Sequence, residues 1–179
     1  DVNADGDPDF LGSGAGSLNV RLANGAGGFL ANQQFPGGGK HINVGDVDDD
    51  GDDDVVTTDY GAVPTVFYNT GAGSFPTNAT FNPRIFPNGV YGRAALGDLS
   101  GDGRADAVVP SIGQTITAYI SGQAAVTLAH TMTEPPTAPF YAGGTVASVL
   151  ILDVNADGWL DVVAAIGSGI SVMLGEAAY

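Results

Sequence analysis

The sequence predicts an all-β fold assembled from about four repeated units. An acidic nine-residue motif recurs four times, beginning at residues 1, 46, 98 and 153. The intervals of 45, 52 and 55 residues suit a unit of four β-strands better than a helical hairpin. Short runs rich in Val, Thr and aromatic residues recur in phase with the motif, and no segment has apolar residues at sustained helical spacing.

The strands of each unit can be placed around its motif. In the second unit we expect strands at 41–45 and 54–59 on either side of the motif, then 64–69 and an outer strand near 75–86. Segments rich in Gly, Asn and Pro separate these runs. The same template places strands at 9–11, 17–23 and from 29 onward in the first unit, at 91–97, 106–109, 115–120 and 124–130 in the third, and at 146–152, 161–166 and 169–174 in the fourth.

The repeats divide the chain into blade-like units of a single repeat domain, 1–179. The expected units are 1–38, 39–88, 89–140 and 141–179. The first lacks its leading strand and the fourth stops where its outer strand should begin, so two units are complete and two each lack a strand. Sheet edges left in this way pair readily with other strands. We therefore expect flanking sequence or other chains to cover them.

The motif itself has the composition of a calcium-binding loop. It reads Asp-x-(Asp/Asn/Ser)-x-Asp-Gly-x-x-Asp in all four copies. Calcium prefers oxygen ligands, and glycine at position six permits the sharp turn that wraps the chain around an ion. We therefore predict up to four Ca²⁺ sites. The predicted ligands, at positions one, three, five and nine, are Asp1, Asn3, Asp5 and Asp9; Asp46, Asp48, Asp50 and Asp54; Asp98, Ser100, Asp102 and Asp106; and Asp153, Asn155, Asp157 and Asp161.

The net charge of -15, from 20 acidic and 5 basic residues, agrees with a metal requirement. A solvated acidic surface is the alternative, but it does not predict glycine at the sixth position of every copy. Charge count ranks the second site, with four carboxylates, as the tightest. The third, with three carboxylates and a hydroxyl, ranks as the weakest. Magnesium suits these loops less, because it demands strict octahedral geometry.

Composition also limits the partners. The basic residues are scattered, so neither nucleic acid nor an anionic membrane is an expected partner. No apolar stretch is long enough for membrane insertion. The absence of cysteine excludes disulfides and thiolate metal sites. The chain begins inside a motif, which indicates a processed or partial segment, and calcium sites of modest affinity suit an extracellular location.

The pattern Gly-Asp-(Val/Leu)-x-x-Asp-Gly-x-x-Asp-(Val/Ala)-Val, clearest in the second and third units, resembles FG-GAP/VCBS repeats. In the first two units, a strand followed by a glycine-rich turn that begins with Asn and ends with Phe resembles them too. Such repeats build the β-propeller heads of integrin α subunits and occur in secreted proteins, including some lectins. The resemblance implies four-stranded antiparallel blades, with the acidic loop between the first two strands of each. Family propellers commonly have seven blades, so the chain would form about half of one.

The expected function is a calcium-binding module, extracellular or at the cell surface, for adhesion to or recognition of a glycan or protein. One alternative is a structural subunit that self-associates through blade edges into a filament or surface layer. Another is the non-catalytic propeller part of a secreted enzyme. The chain itself is not expected to be an enzyme, because His41 and His130 lie at non-equivalent positions without a nucleophile motif. Aromatic residues that could stack on sugars are Tyr60, Tyr68, Tyr91, Tyr141 and Trp159.

Overall fold

The computed structural model describes residues 1–14, 16–60, 62, 64–80, 92–111, 114–119, 121 and 140–175. This part of the chain contains β-strands, turns and loops but no helix, which confirms the all-β prediction. The strands form four small antiparallel sheets, numbered 1 to 4 in chain order. Within each sheet, strands that are consecutive in sequence are hydrogen-bonded neighbours. No helix long and apolar enough to cross a membrane occurs among the described residues.

The outer sheets have three strands and the inner sheets have four. Sheet 1 consists of β1 (Phe10–Gly14), β2 (Ser17–Arg21) and β3 (Gln33–Pro36), and sheet 2 of β4 (His41–Gly45), β5 (Asp54–Thr58), β6 (Thr65–Tyr68) and β7 (Thr77–Thr80). Sheet 3 consists of β8 (Ala95–Gly97), β9 (Asp106–Ser111), β10 (Thr115–Tyr119) and β11 (Phe140–Tyr141), and sheet 4 of β12 (Val146–Leu152), β13 (Asp161–Ile166) and β14 (Gly169–Met173).

The outer strands differ most from their expected positions. In sheet 2 the outer strand is β7, and the expected continuation over 81–86 lies outside the described residues. In sheet 3 the strand expected at 124–130 also lies outside them, and β11 pairs with β10 instead. β11 crosses the expected unit boundary between residues 140 and 141. The unit boundaries themselves remain predictions.

The second strand of each inner sheet is apolar or β-branched on both faces because it is covered on both. In β5 the sequence Asp-Val-Val-Thr-Thr is buried throughout. In β9 the residues Ala107, Val108 and Val109 are fully buried. A strand that is buried on both faces loses the usual apolar–polar alternation. These strands therefore indicate sheets that stack face to face.

Each sheet packs on the next sheet in chain order. We call the sheet face toward the following sheet the forward face and the opposite one the rear face. The forward-face residues Leu18 and Val20 of sheet 1 contact the rear-face residues Val55 and Phe67 of sheet 2; Val56 and Val66 of sheet 2 contact Leu96 and Ala105 of sheet 3 and its loop; and Val108 and Ile116 of sheet 3 contact Val149 and Val162 of sheet 4. The core is therefore a series of three inter-sheet layers.

Glycine at the end of β4 and of β8 allows this close stacking. A Cβ atom added at Gly45 would lie 3.3 Å from Cβ of Ala105 and 3.4 Å from Cδ1 of Leu96. At Gly97 it would lie 2.8 Å from Cγ2 of Ile151, closer than side chains tolerate. Glycine in a strand often marks such a close approach. The side chains of Leu96 and Ile151 on the next sheet fill the space that each glycine leaves.

Replacing Gly97 by valine should therefore destabilise the stack. We expect Gly97→Val to lower the free energy of unfolding by about 1–3 kcal/mol, the usual effect of overpacking a filled core. The matched control is Gly14→Val at the end of β1, where an added Cβ meets nothing within 4 Å. Denaturant unfolding with excess calcium measures both. Equal stability of the two variants would contradict the close approach at Gly97.

Candidate metal centres

The four acidic loops occupy equivalent places in the fold. In sheets 2, 3 and 4 the loop joins the first two strands, and in sheet 1 it directly precedes β1. Its ninth residue begins β5, β9 and β13 as Asp54, Asp106 and Asp161. The loops therefore lie at the same end of their sheets.

The loops also share one backbone conformation. Position four has a positive φ in every copy, at Ala4 (54°), Asp49 (64°), Gly101 (75°) and Ala156 (60°). Position six, always glycine, has φ between 89° and 92°. Two left-handed residues within three positions turn the chain sharply, and glycine adopts such a conformation without steric cost.

The carboxylates of positions one and five fix this conformation. In the second loop, Asp46 accepts hydrogen bonds from the N–H groups of Asp50 (3.3 Å) and Gly51 (2.9 Å). Asp50 in turn accepts one from the N–H of Asp52 at 3.0 Å. Bonds at the same three positions occur in the other loops. The loop is thus held in shape by its own acidic side chains.

The second loop brings three carboxylates together. One oxygen each from Asp46, Asp48 and Asp50 lies within 4.8 Å of the others. Burial, followed by the negative charges of Asp50 and Asp46, raises the pKa of the Asp48 carboxyl. Like charges held this close repel one another, and a hard cation would remove that repulsion while accepting their oxygens. The donor set therefore fits a divalent cation.

Position three differs among the other loops. The Asn3 amide donates to Asp5 at 2.8 Å, and the Asn155 amide donates to Asp157 at the same distance. In the third loop, the Ser100 hydroxyl donates to Asp98 at 3.4 Å. Rotation of either amide by 180° would present its oxygen in place of its nitrogen. These loops place positions one, three and five in contact, but with fewer carboxylates than the second loop.

The position-nine aspartates have a role that the sequence did not reveal. Asp54 is fully buried, and its two oxygens accept N–H bonds from Val47 at 3.0 Å and from Asn69 at 2.8 Å. Val47 belongs to the start of the loop, whereas Asn69 follows the third strand of the sheet. Asp9, Asp106 and Asp161 make the same pair of bonds. Each aspartate therefore ties its loop to the end of the third strand, or of its equivalent in sheet 1.

Two of these buried carboxyls are electrostatically unfavourable. Burial raises the pKa of Asp54 and of Asp106 to about 6, although the N–H groups bonded to each act in the opposite direction. Asp54 is not one of the three grouped carboxylates, although the charges of Asp48 and Asp50 also contribute to raising its pKa. Ligation by position nine remains a prediction. An apolar strand that begins with aspartate, as in Asp54-Val-Val, was the sequence signal for a buried and hydrogen-bonded carboxylate.

Neighbouring loops are linked by hydrogen bonds, the first and second through the Asn69 side chain and the second and third directly. The buried Asn69 amide donates to the carbonyl of Val2 in the first loop at 2.7 Å, and also to that of Asp53 at 2.9 Å. The N–H of Ala105 in the third loop donates to the carbonyl of Asp46 at 2.6 Å. The first three loops therefore form a continuous series along one end of the stack.

Comparison with known families agrees with this arrangement. A family model described as FG-GAP-like repeat matches residues 1–57 and again residues 46–109. The two matches together span more than half of the chain, and the chain belongs to the FG-GAP-like repeat family. Each match includes two acidic loops in full. Comparison with curated protein sequences gave no match.

Substitution of Asp54 by asparagine tests the structural role of position nine. An amide at this position would present one acceptor oxygen where the carboxylate presents two, so Asp54→Asn leaves a buried N–H unpaired. We expect the free energy of unfolding to fall by about 1–3 kcal/mol, both in metal-stripped buffer and in calcium. Asp48→Asn is the matched control: without metal it should be neutral or stabilising, because it removes a like charge, and in calcium it should destabilise. Chemical denaturation measures all four conditions, and a loss at Asp54 only in calcium would contradict its structural role.

Proposed function

We propose that the chain is a calcium-stabilised recognition module of propeller-type blades that acts outside the cell or at the cell surface. The observation that carries the proposal is the convergence of Asp46, Asp48 and Asp50 in a loop whose conformation recurs four times. The stacked three- and four-stranded sheets and the family membership support blades of the propeller type. In this proposal positions one, three and five of each loop supply the side-chain ligands, and ligation by the aspartate at position nine stays a prediction from the sequence.

Calcium is the cation that these loops suit best. All the offered side-chain donors are oxygens, and calcium accepts six to eight oxygens in flexible geometry. Asp46, Asp48 and Asp50 would hold the ion in the second loop, and positions one, three and five would hold it elsewhere. When bound, calcium supplies positive charge that neutralises the repulsion among these carboxylates. Its role is therefore to stabilise the fold rather than to carry out a reaction.

We propose no catalytic activity, and two described groups outside the loops have contacts that agree with this. Asp59 pairs with Lys40 at 2.8 Å. The ring of His41 packs edge-on against Tyr60, with ring centroids 6.2 Å apart. An enzyme with a histidine base needs that base in hydrogen-bond reach of a nucleophile or a bound water. The predicted candidate His130 lies outside the described residues.

Recognition would use the end of the stack that carries the loops. Trp159, at position seven of the fourth loop, is 37% exposed, and its backbone N–H donates to the Asp157 carboxylate at 2.9 Å. Aromatic rings at a mouth of loops give a glycan or a protein a large contact area at little entropic cost. Of the other predicted aromatics, Tyr60 is exposed and Tyr68 is partly buried. Tyr91 and the side chain of Tyr141 lie outside the described part of the chain.

Removal of calcium should lower the stability of the fold markedly. At a hundredfold excess over Kd, each site that binds only the folded state adds about 2.7 kcal/mol. For a chain of this size that corresponds to a rise in Tm of about 5–10 °C per site. Differential scanning calorimetry of metal-stripped protein, with and without calcium, measures the shift. An unchanged Tm with calcium would overturn the proposal, and an equal shift with magnesium would overturn the choice of cation.

The fluorescence of Trp159, the only tryptophan of the chain, should report calcium entry into the fourth loop.

Trp159→Ala should keep the calcium-dependent Tm shift, because the loop ligands are intact, while weakening glycan or protein binding at least tenfold. A glycan array followed by titration of the best ligand checks this, with Tyr60→Ala as the control aromatic. Undiminished binding by Trp159→Ala would contradict recognition through this residue.

A further inference from the structure

The turn between β2 and β3 of sheet 1 contains an Asn-Gly step, Asn24-Gly25, and both residues are exposed. In such a step the backbone nitrogen of the glycine can attack the side-chain amide of the asparagine. Glycine has no Cβ atom to obstruct this approach. Gly25 also has a φ of 67°, a conformation that glycine adopts without strain. The step is therefore sterically open to attack at the Asn24 side chain.

The turn also polarises the amide that would be attacked. The side-chain oxygen of Asn24 accepts hydrogen bonds from the N–H groups of Ala26 and Gly28, each at 3.0 Å. N–H groups aimed at a carbonyl oxygen stabilise the negative charge that forms on it when a nucleophile adds to the carbon. The N–H of Gly25 itself donates to no group in the described part of the chain. The amide carbon and the attacking nitrogen are thus both available in the folded turn.

The four acidic loops contain a related step in a protected form. Each loop has an Asp-Gly step at positions five and six, and aspartate followed by glycine can form the same cyclic imide. In the loops, however, the glycine N–H donates to the carboxylate of position one, at 2.8 Å in the first loop and 2.9 Å in the other three. A nitrogen held by this bond is less free to turn toward the neighbouring carboxyl carbon. The structure therefore distinguishes Asn24-Gly25 from the four loop steps.

We propose that Asn24 is a site of spontaneous deamidation in the folded protein. The nitrogen of Gly25 adds to Cγ of Asn24 and loses its proton to solvent. The bond from Cγ to Nδ2 then breaks, and ammonia leaves. Water opens the resulting five-membered succinimide at either of its carbonyls: opening at Cγ gives aspartate, and opening at the backbone carbonyl gives isoaspartate. Water is the only co-reactant, and no group is oxidised or reduced.

The reaction changes the surface beside the first acidic loop. A Cβ atom added at Gly25 would lie 3.4 Å from Oδ2 of Asp7, at position seven of that loop. Either product adds one negative charge next to this carboxylate. The isoaspartate product also lengthens the backbone by one carbon atom, inside a turn that is closed by the bond from the Asn24 N–H to the Gly28 carbonyl at 3.0 Å. Deamidation therefore adds charge beside the loop and, in its isoaspartate form, disrupts the turn.

The test is incubation of the folded chain in heavy-oxygen water at physiological pH, followed by tryptic peptide mapping in ordinary water. Each product formed during the incubation carries one heavy oxygen, which separates it from deamidation during digestion. Trypsin cleaves after Arg21 and Lys40, so Asn24 and the exposed control Asn32 lie in one peptide. We expect heavy-oxygen aspartate and isoaspartate at residue 24 and no conversion of Asn32.

A variant and an unfolded reference separate the effect of the turn from that of the sequence. Gly25→Asn retains a residue type that tolerates positive φ but adds a side chain at the attacking residue, so it should slow conversion of Asn24 by roughly tenfold or more. Unfolding the chain in denaturant should expose the four Asp-Gly steps to isomerisation without accelerating conversion of Asn24. The second Asn-Gly step, Asn88-Gly89, lies outside the described residues and in a separate tryptic peptide, 85–93.

Four outcomes would overturn the proposal. They are the absence of heavy oxygen at residue 24, equal conversion of Asn24 and Asn32, undiminished conversion in Gly25→Asn, and faster conversion of Asn24 in the unfolded chain than in the folded one. The reaction uses no metal, so these results do not depend on whether the acidic loops bind calcium.

Discussion

The aspartate at the ninth position of the acidic loops, buried in sheets 2, 3 and 4, is the constraint on which the rest of the structure depends. Its carboxylate joins the start of the acidic loop to the residue after the third strand, through bonds such as those of Asp54 to Val47 and Asn69. Without this bridge, the second loop would keep only the bond from the Asn69 amide to the Asp53 carbonyl, besides the two flanking strands, to attach it to its sheet. With this bridge, the third strand of the sheet also fixes the position of the loop.

The acidity of the chain therefore serves two physical purposes that composition alone does not separate. Asp54, Asp106 and Asp161 are buried acceptors of backbone N–H groups. Asp46, Asp48 and Asp50 are partly or fully exposed and concentrate negative charge in a small volume. The first group can stabilise the chain whether or not an ion is present, whereas the second group becomes stabilising only with a cation. Folding and metal binding are thus coupled through adjacent positions of one nine-residue motif.

Local spacing was sufficient to predict much of the fold and of the candidate site. The acidic motif predicted where the loops lie, and the runs of β-branched residues predicted strands such as β5 and β9, because both patterns are contained within a few residues. The outer strands were less predictable: β7 and β11 carry weak patterns and depend on pairing with their neighbours. The hydrogen bond from Asn69 to Val2 joins residues of different units, and no periodic pattern in the sequence predicts it.

The contacts between loops have a consequence for how the chain loses its structure. The side-chain amide of Asn69 donates to the Val2 carbonyl of the first loop, while its backbone N–H donates to Asp54 of the second loop. The backbone N–H of Ala105 in the third loop donates to the carbonyl of Asp46 in the second. Opening of one loop therefore removes a hydrogen-bond partner from its neighbour and leaves buried groups unsatisfied. Local opening would spread from loop to loop instead of remaining confined. In hydrogen exchange, the amides of the first three loops would then behave as one cooperative unit, with a common opening free energy.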